Sequence, residues 1–199
     1  MSLIYKTCTS GGQIPTYNCN ACGETEGGRV RGAAYIHKSL KSALTSANLL
    51  SIAWWEQQIE AGLIFVIPST RGTFDGGTAN TVTGFGDETN KKTGKTYVAV
   101  INDANHAGNQ AFYQALENNF ADYILAFRTE KELRVANEVL TDFNMQDAVT
   151  ENTEDPVLWA ATATWVQKIP NTLVEVLTLT DDIKELFSKC IDTEASADA

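Results

Sequence analysis

Short segments of period-two or β-branched character recur along this chain. Helical periodicity shows in only a few places. That imbalance is the strongest constraint on what the chain folds into. Residues 29–37 alternate, with Val30, Ala34 and Ile36 on one side and Arg29, Arg31, Tyr35 and His37 on the other, which predicts a half-exposed strand. Residues 63–67 form an apolar run closed by Pro68, and residues 96–101, 123–129, 158–169 and 172–180 also read as strands. Helical spacing appears at 49–61, with Asn48 as cap, at 102–120, with Asp103 or Asn105 as cap, and at 181–189, where acids open the segment. Residues 69–83 are rich in Gly and Thr and read as flexible, 84–94 as a long hairpin tip, and 130–140 as a short amphipathic piece. Strands and long helices do not alternate regularly, so a doubly wound parallel sheet is excluded in favour of an α+β fold. The expected architecture is a mostly antiparallel β-sandwich or barrel with flanking helices. It divides into an extended N-terminal arm (1–28), a single β-rich domain (29–190) and a flexible tail (191–199).

Charge narrows the function classes. The 199 residues carry a formal net charge of −10, unevenly spread: residues 1–50 sum to +3 and residues 51–199 to −13. An acidic body argues against a duplex-DNA reader, which needs a basic face for the phosphates, and against binding to anionic membranes. It fits a surface kept soluble by its charge, or a lining to which passing nucleic acid does not stick. No apolar run approaches the roughly 18 residues of a transmembrane helix. The N-terminus turns polar within a few residues, so no signal peptide is expected.

Few residues offer chemistry. Cys19 and Cys22 have the CxxC spacing that lets two thiolates reach one metal, with Cys8 upstream and His37 downstream. A Cys3His structural zinc site is one reading; a disulfide and unligated thiols are the others. His37 also reads as a polar strand residue. The segment from Thr89 to Thr96 nearly matches a phosphate-binding loop, with Lys95 in the lysine position, but Thr89 stands where the first glycine belongs. Its sequel is strand-like, whereas phosphate loops open helices. Gly84, Phe85 and Gly86 likewise fail as a dinucleotide fingerprint. His106, near Asp103, offers a general base with an acidic partner, or simply a residue in the first turn of a helix. No catalytic residue is assigned and no enzyme activity is expected. Lys91, Lys92 and Lys95 make the 84–94 hairpin a basic projection on an acidic chain, suited to pairing with a neighbouring subunit.

The cysteine-containing arm, the strand from Glu26 to Ile36, the Gly84-Phe-Gly-Asp-Glu-Thr hairpin and the strand from Phe120 to Phe127 after a helix occur in a particular order. In that order the chain resembles small virion structural proteins of tailed phages infecting Bacteroides-type gut bacteria, crAss-like or related, and among them a tail-tube or tail/neck ring subunit. The resemblance implies a β-sandwich or barrel unit that closes into rings of its own copies. It also implies contact with neighbouring tail or neck proteins and a lumen through which genomic DNA passes without specific binding. Assembly would take place in the host cytoplasm, and the product would be a virion component. The alternatives are another virion part, such as a capsid decoration or surface-binding module, and a small metal-dependent enzyme.

Overall fold

The computed structural model describes residues 29–68, 70–84, 90–103, 106–147, 159–169 and 173–188. The predicted arm, the tip residues 85–89 and the predicted tail lie outside them. The alternating segment forms strand β1 (Gly32–His37), buried in all but its last residue: Ala33, Ala34, Tyr35 and Ile36 are all 0% exposed. This corrects the half-exposed reading at Tyr35; of the other residues on that side, Arg29 is exposed and Arg31 and His37 are half-buried. β1 lies between β2 (Ile64–Ile67) and β6 (Tyr123–Arg128), with Tyr35 opposite both Phe65 and Leu125. Further out, β7 (Glu132–Val135) and β10 (Glu175–Thr178) complete a five-stranded antiparallel sheet in the order β10-β7-β6-β1-β2. Both faces of β1 are covered, so both sets of alternating side chains are apolar or small.

The second sheet is also five-stranded and antiparallel. It holds β3 (Arg71–Phe74), β4 (Thr78–Val82), β5 (Lys91–Asp103), β8 (Leu140–Asp147) and β9 (Trp159–Lys168). The order is β3-β5-β9-β8, with β4 pairing with β5 as well. β3 and β4 occupy the stretch that reads as a flexible loop. Their order comes from β5, whose long edge pairs with both in turn. Gly76 and Gly77, at φ 73° and 87°, make the turn between them. The Asp75 carboxylate fixes that turn by accepting from the N–H groups of Gly77 (2.9 Å) and Val98 (3.0 Å). The 130–140 segment, read as amphipathic, supplies β7 and the start of β8 instead.

The two sheets face each other as a sandwich, not a closed barrel. Phe74, Tyr97 and Trp165 stack on the inner face of the second sheet, with centroids 5.4–5.9 Å apart. Phe127 of the first sheet meets Phe74 at 4.9 Å, and Tyr35 meets Phe143 edge-on at 5.8 Å. Such aromatic pairs add about 0.5–1.5 kcal/mol each beyond the area they bury.

Helices cover the opposite face of the first sheet. The 49–61 segment forms one helix, α2 (Ile52–Glu60), and a separate short helix, α1 (Ser46–Leu49), precedes it. Thr45 caps α1 by accepting from the Asn48 N–H at 3.3 Å, and Ser51, not Asn48, stands at the N-cap of α2. Trp55 is buried and donates its indole N–H to the Leu49 carbonyl at 3.0 Å, while Trp54 packs against it edge-on. After α3 (His106–Asn118), the short α4 (Asp181–Leu186) is capped by Thr180 and brings Phe187 to within 5.4 Å of the Trp55 ring. Gly32 permits that approach, since a Cβ there would lie 3.0 Å from the Phe187 carbonyl oxygen. α3 joins the two sheets at one end, where Phe112 packs on Tyr35 and Phe65. Among the described residues no helix is long and apolar enough to cross a membrane.

Candidate functional site

His37 ends β1 and caps the 3-10 turn that follows. Its Nδ1 accepts from the Ser39 N–H at 3.3 Å and lies 2.9 Å from the Ser39 hydroxyl, and its ring stands edge-on to Tyr123. The imidazole is thus engaged in ending a strand. Cys8, Cys19 and Cys22 lie outside the described residues, and among the described residues no three His, Cys, Asp or Glu side chains converge as a metal site.

Gly94, Lys95 and Thr96 lie within β5, paired with Lys168, Gln167 and Val166 of β9. A Cβ on Gly94 would fall 2.5 Å from the Gln167 carbonyl oxygen. A continuous strand presents no fan of free N–H groups to phosphate, so this segment is no phosphate loop. The side chain of His106 lies outside what is described. Asp103 ends β5, and its Oδ2 accepts from Asn109 Nδ2 (2.7 Å) and from the Tyr113 hydroxyl (2.9 Å). Burial, then the Asp103 carboxylate, pushes the Tyr113 phenol well above its ordinary value. This cluster fastens α3 to the end of β5.

The hairpin residues lie on a β-ladder. Val82 pairs with Lys91 and Thr81 with Lys92; a bulge at Asn80/Thr81 follows, and then Ala79 pairs with Lys95. Two side-chain hydrogen bonds between Asn80 and Thr96, of 2.9 and 3.0 Å, hold the register. Gly84 is half-buried, and Phe85 and Gly86 lie outside the described residues. The lysines therefore stand along the paired arm. Lys95 Nζ sits 5.9 Å from the Tyr97 ring centroid. Lys168 lies opposite Gly94, and the Ile169 N–H donates to the Thr93 carbonyl at 3.2 Å. Four lysines thus share this end of the second sheet with two exposed apolar side chains, Val82 (51%) and Ile169 (53%).

A second cationic surface is absent from the sequence reading. All five arginines of the chain, at 29, 31, 71, 128 and 134, gather at one end of the fold. Three pairings bring them there. The Val30 N–H donates to the Gly72 carbonyl at 3.1 Å, which by antiparallel continuation sets Arg29 beside Thr73 and Arg31 beside Arg71. The Arg31 N–H donates to the Arg128 carbonyl at 2.8 Å, and Phe127 lies opposite Arg134. Between the sheet edges at this end lies a cleft of about 340 Å³, lined by Arg29, Thr73, Phe74, Phe127, Thr129 and Arg134. Arg134 is held by Glu132 (2.6 Å) and Arg31 by Glu130 (3.4 Å). Arg128 is buried and donates to Ser188 Oγ at 2.8 Å; burial, then Arg31, draws its guanidinium below the ordinary value. Arg29 and Arg71 are exposed.

No known protein family matches this chain, and no curated protein and no solved structure is significantly similar to it.

Proposed function

We propose that this chain is a structural subunit that associates with its own copies into a ring or tube. By the resemblance of its sequence, that assembly belongs to the tail or neck of a tailed-phage virion. The observation that carries the reading is the β4–β5 ladder. Four of the five β4 residues are exposed, and among the described residues β4 pairs with β5 alone. β4 is thus a sheet edge that ends in the exposed Val82, and Lys91, Lys92 and Lys95 lie on the β5 side of the same ladder. An element of this kind on one side of a subunit supplies half of a heterologous contact, and such contacts close into rings when the rotation between copies permits. The −13 charge of residues 51–199 supports a conduit that duplex DNA traverses without sticking. Native mass spectrometry and electron microscopy of the purified protein test the proposal. Wild-type protein should form rings or short tubes, and a Lys91→Glu, Lys92→Glu, Lys95→Glu variant should remain monomeric with unchanged circular dichroism. Wild-type protein that stays monomeric from micromolar to near-millimolar concentration overturns the reading.

A further inference from the structure

The arginine end is the more unusual of the two cationic surfaces. Five arginines from separate stretches of the sequence, 29–31, 71 and 128–134, come to one end of a chain whose net charge is −10, with the Arg128 guanidinium turned to Ser188. A surface charged only for solubility has no reason to concentrate one residue type, because like charges placed together repel. Arg31 stands beside both Arg71 and Arg128, and only Glu130 and Glu132 form ion pairs with the group among the described residues. Arginine rather than lysine matches a carboxylate, which the planar guanidinium binds with two parallel N–H donors. The cleft beside Arg29 and Arg134 adds the threonines Thr73 and Thr129 and an aromatic floor of Phe74 and Phe127.

The opposite charge lies on the helix layer. α2 exposes Glu56 and Glu60, one turn apart, and α4, which packs beside it, exposes Asp181 and Asp182. Lys184 is the one basic residue on these helices. α4 reaches the arginine end, where Ser188 meets Arg128, whereas Glu56 and Glu60 stand on α2 and the exposed Arg29 and Arg71 stand at the pairing of residue 30 with β3; a head-to-tail contact joins two such unlike patches. We propose that the arginine end of one copy receives the carboxylates on the helix layer of the next, with Arg29 and Arg71 as the exposed donors. This rests on the self-assembly reading and names a second half of its subunit contact. Duplex DNA, whose phosphates arginine also binds, is the competing occupant, and the acidic body opposes it.

A charge-swap experiment tests the contact in the full-length chain. One variant carries Arg29→Glu and Arg71→Glu; the other carries Glu56→Lys and Glu60→Lys, changes that suit a helix and its C-terminal end. Each variant alone should stay monomeric, with at least a tenfold loss in apparent association by analytical ultracentrifugation. Mixed in equal amounts they should assemble again as alternating copies, since each reversed surface then meets its reversed partner. That recovery also shows that both variants are folded. If either variant alone assembles as wild type does, or if the mixture does not recover, the contact is wrong. If wild-type protein binds duplex DNA and the arginine variant does not, the occupant is DNA and the proposal falls. If wild-type protein itself never assembles, the failure lies in the ring reading instead, and this contact falls with it.

Discussion

Two tyrosines in one core should respond with opposite sign to loss of the same atom. Tyr35 is 0% exposed, and among the described residues its hydroxyl has no hydrogen-bond partner, whereas the Tyr113 hydroxyl donates to the Asp103 carboxylate at 2.9 Å. A buried hydroxyl without a partner costs about 1–3 kcal/mol of desolvation. Replacing Tyr35 by Phe removes that cost and keeps the ring contacts with Phe143 and Phe112. The void left by one oxygen, on the order of 10–15 Å³, costs back only about 0.3 kcal/mol. Tyr35→Phe should therefore stabilise the protein by about 1 kcal/mol. Tyr113→Phe removes a hydrogen bond to a charged acceptor and should destabilise by about 1.5–3 kcal/mol, toward the lower end because Asn109 still serves the carboxylate. Urea unfolding at neutral pH, followed by fluorescence of the buried Trp55 and Trp165, measures both. It should be run at two protein concentrations, since assembly would make the midpoint concentration-dependent. A Tyr35→Phe variant destabilised by 1 kcal/mol or more, on the scale of a normal lost hydrogen bond, would refute the argument and reveal a partner for the hydroxyl, such as a buried water.

Two further outcomes follow from close contacts. Gly72→Ala would place a Cβ 2.2 Å from the Val100 carbonyl oxygen, where backbone must move, so it should cost about 3 kcal/mol, roughly 6–12 °C in Tm by calorimetry. A loss below about 0.5 kcal/mol, the range of a neutral surface change, would mean that β3 moves freely away from β5. Asp122 is held below the ordinary carboxylate range, chiefly by its hydrogen bond from Lys38, so its contribution to stability is present above the unfolded pKa and is lost as pH falls through the folded one. Lys38→Met should raise the Asp122 pKa toward the ordinary value in an NMR carboxyl titration, and an unmoved midpoint would show that the ion pair does not persist in solution.

Period and propensity carried the fold class, because antiparallel strands with one apolar face each announce themselves in sequence. Where the reading of residues departed from the structure, the cause was non-local. β1 alternates as a half-exposed strand does, yet helices brought from residues 52–60 and 181–186 cover its second face. β3 and β4 contain Gly, Thr and Asn and look like loop; their order comes from the edge of β5. The arginine end shows the same thing more sharply. In sequence, Arg29 and Arg31 merely make the first 50 residues basic, while Arg71, Arg128 and Arg134 stand apart in an acidic stretch. Three of the five, at 29, 31 and 128, lie near the ends of stretches that read as strand, which was the available signal, while Arg71 lies in one that reads as loop. The group becomes a site only once antiparallel pairing sets the start of β1 against the end of β6 and against β3.

Both cationic surfaces adjoin the same edge of β5, the lysines where β4 pairs and Arg71 where β3 pairs. That invites a simpler account. Charged residues, lysine above all, blunt exposed sheet edges against uncontrolled pairing with other chains. On that account the edge needs charge of either sign, and reversing it would leave the protein just as soluble and its assembly unchanged. On the assembly account the sign is what matters, because the partner surface is acidic. Charge reversal separates the two where neutralisation does not: removing the charge weakens edge protection and subunit contact together, whereas a glutamate keeps the protection and repels the partner. Hence the lysines and arginines are to be changed to glutamate rather than alanine, and recovery by the charge-swapped mixture lies beyond what edge protection alone can produce.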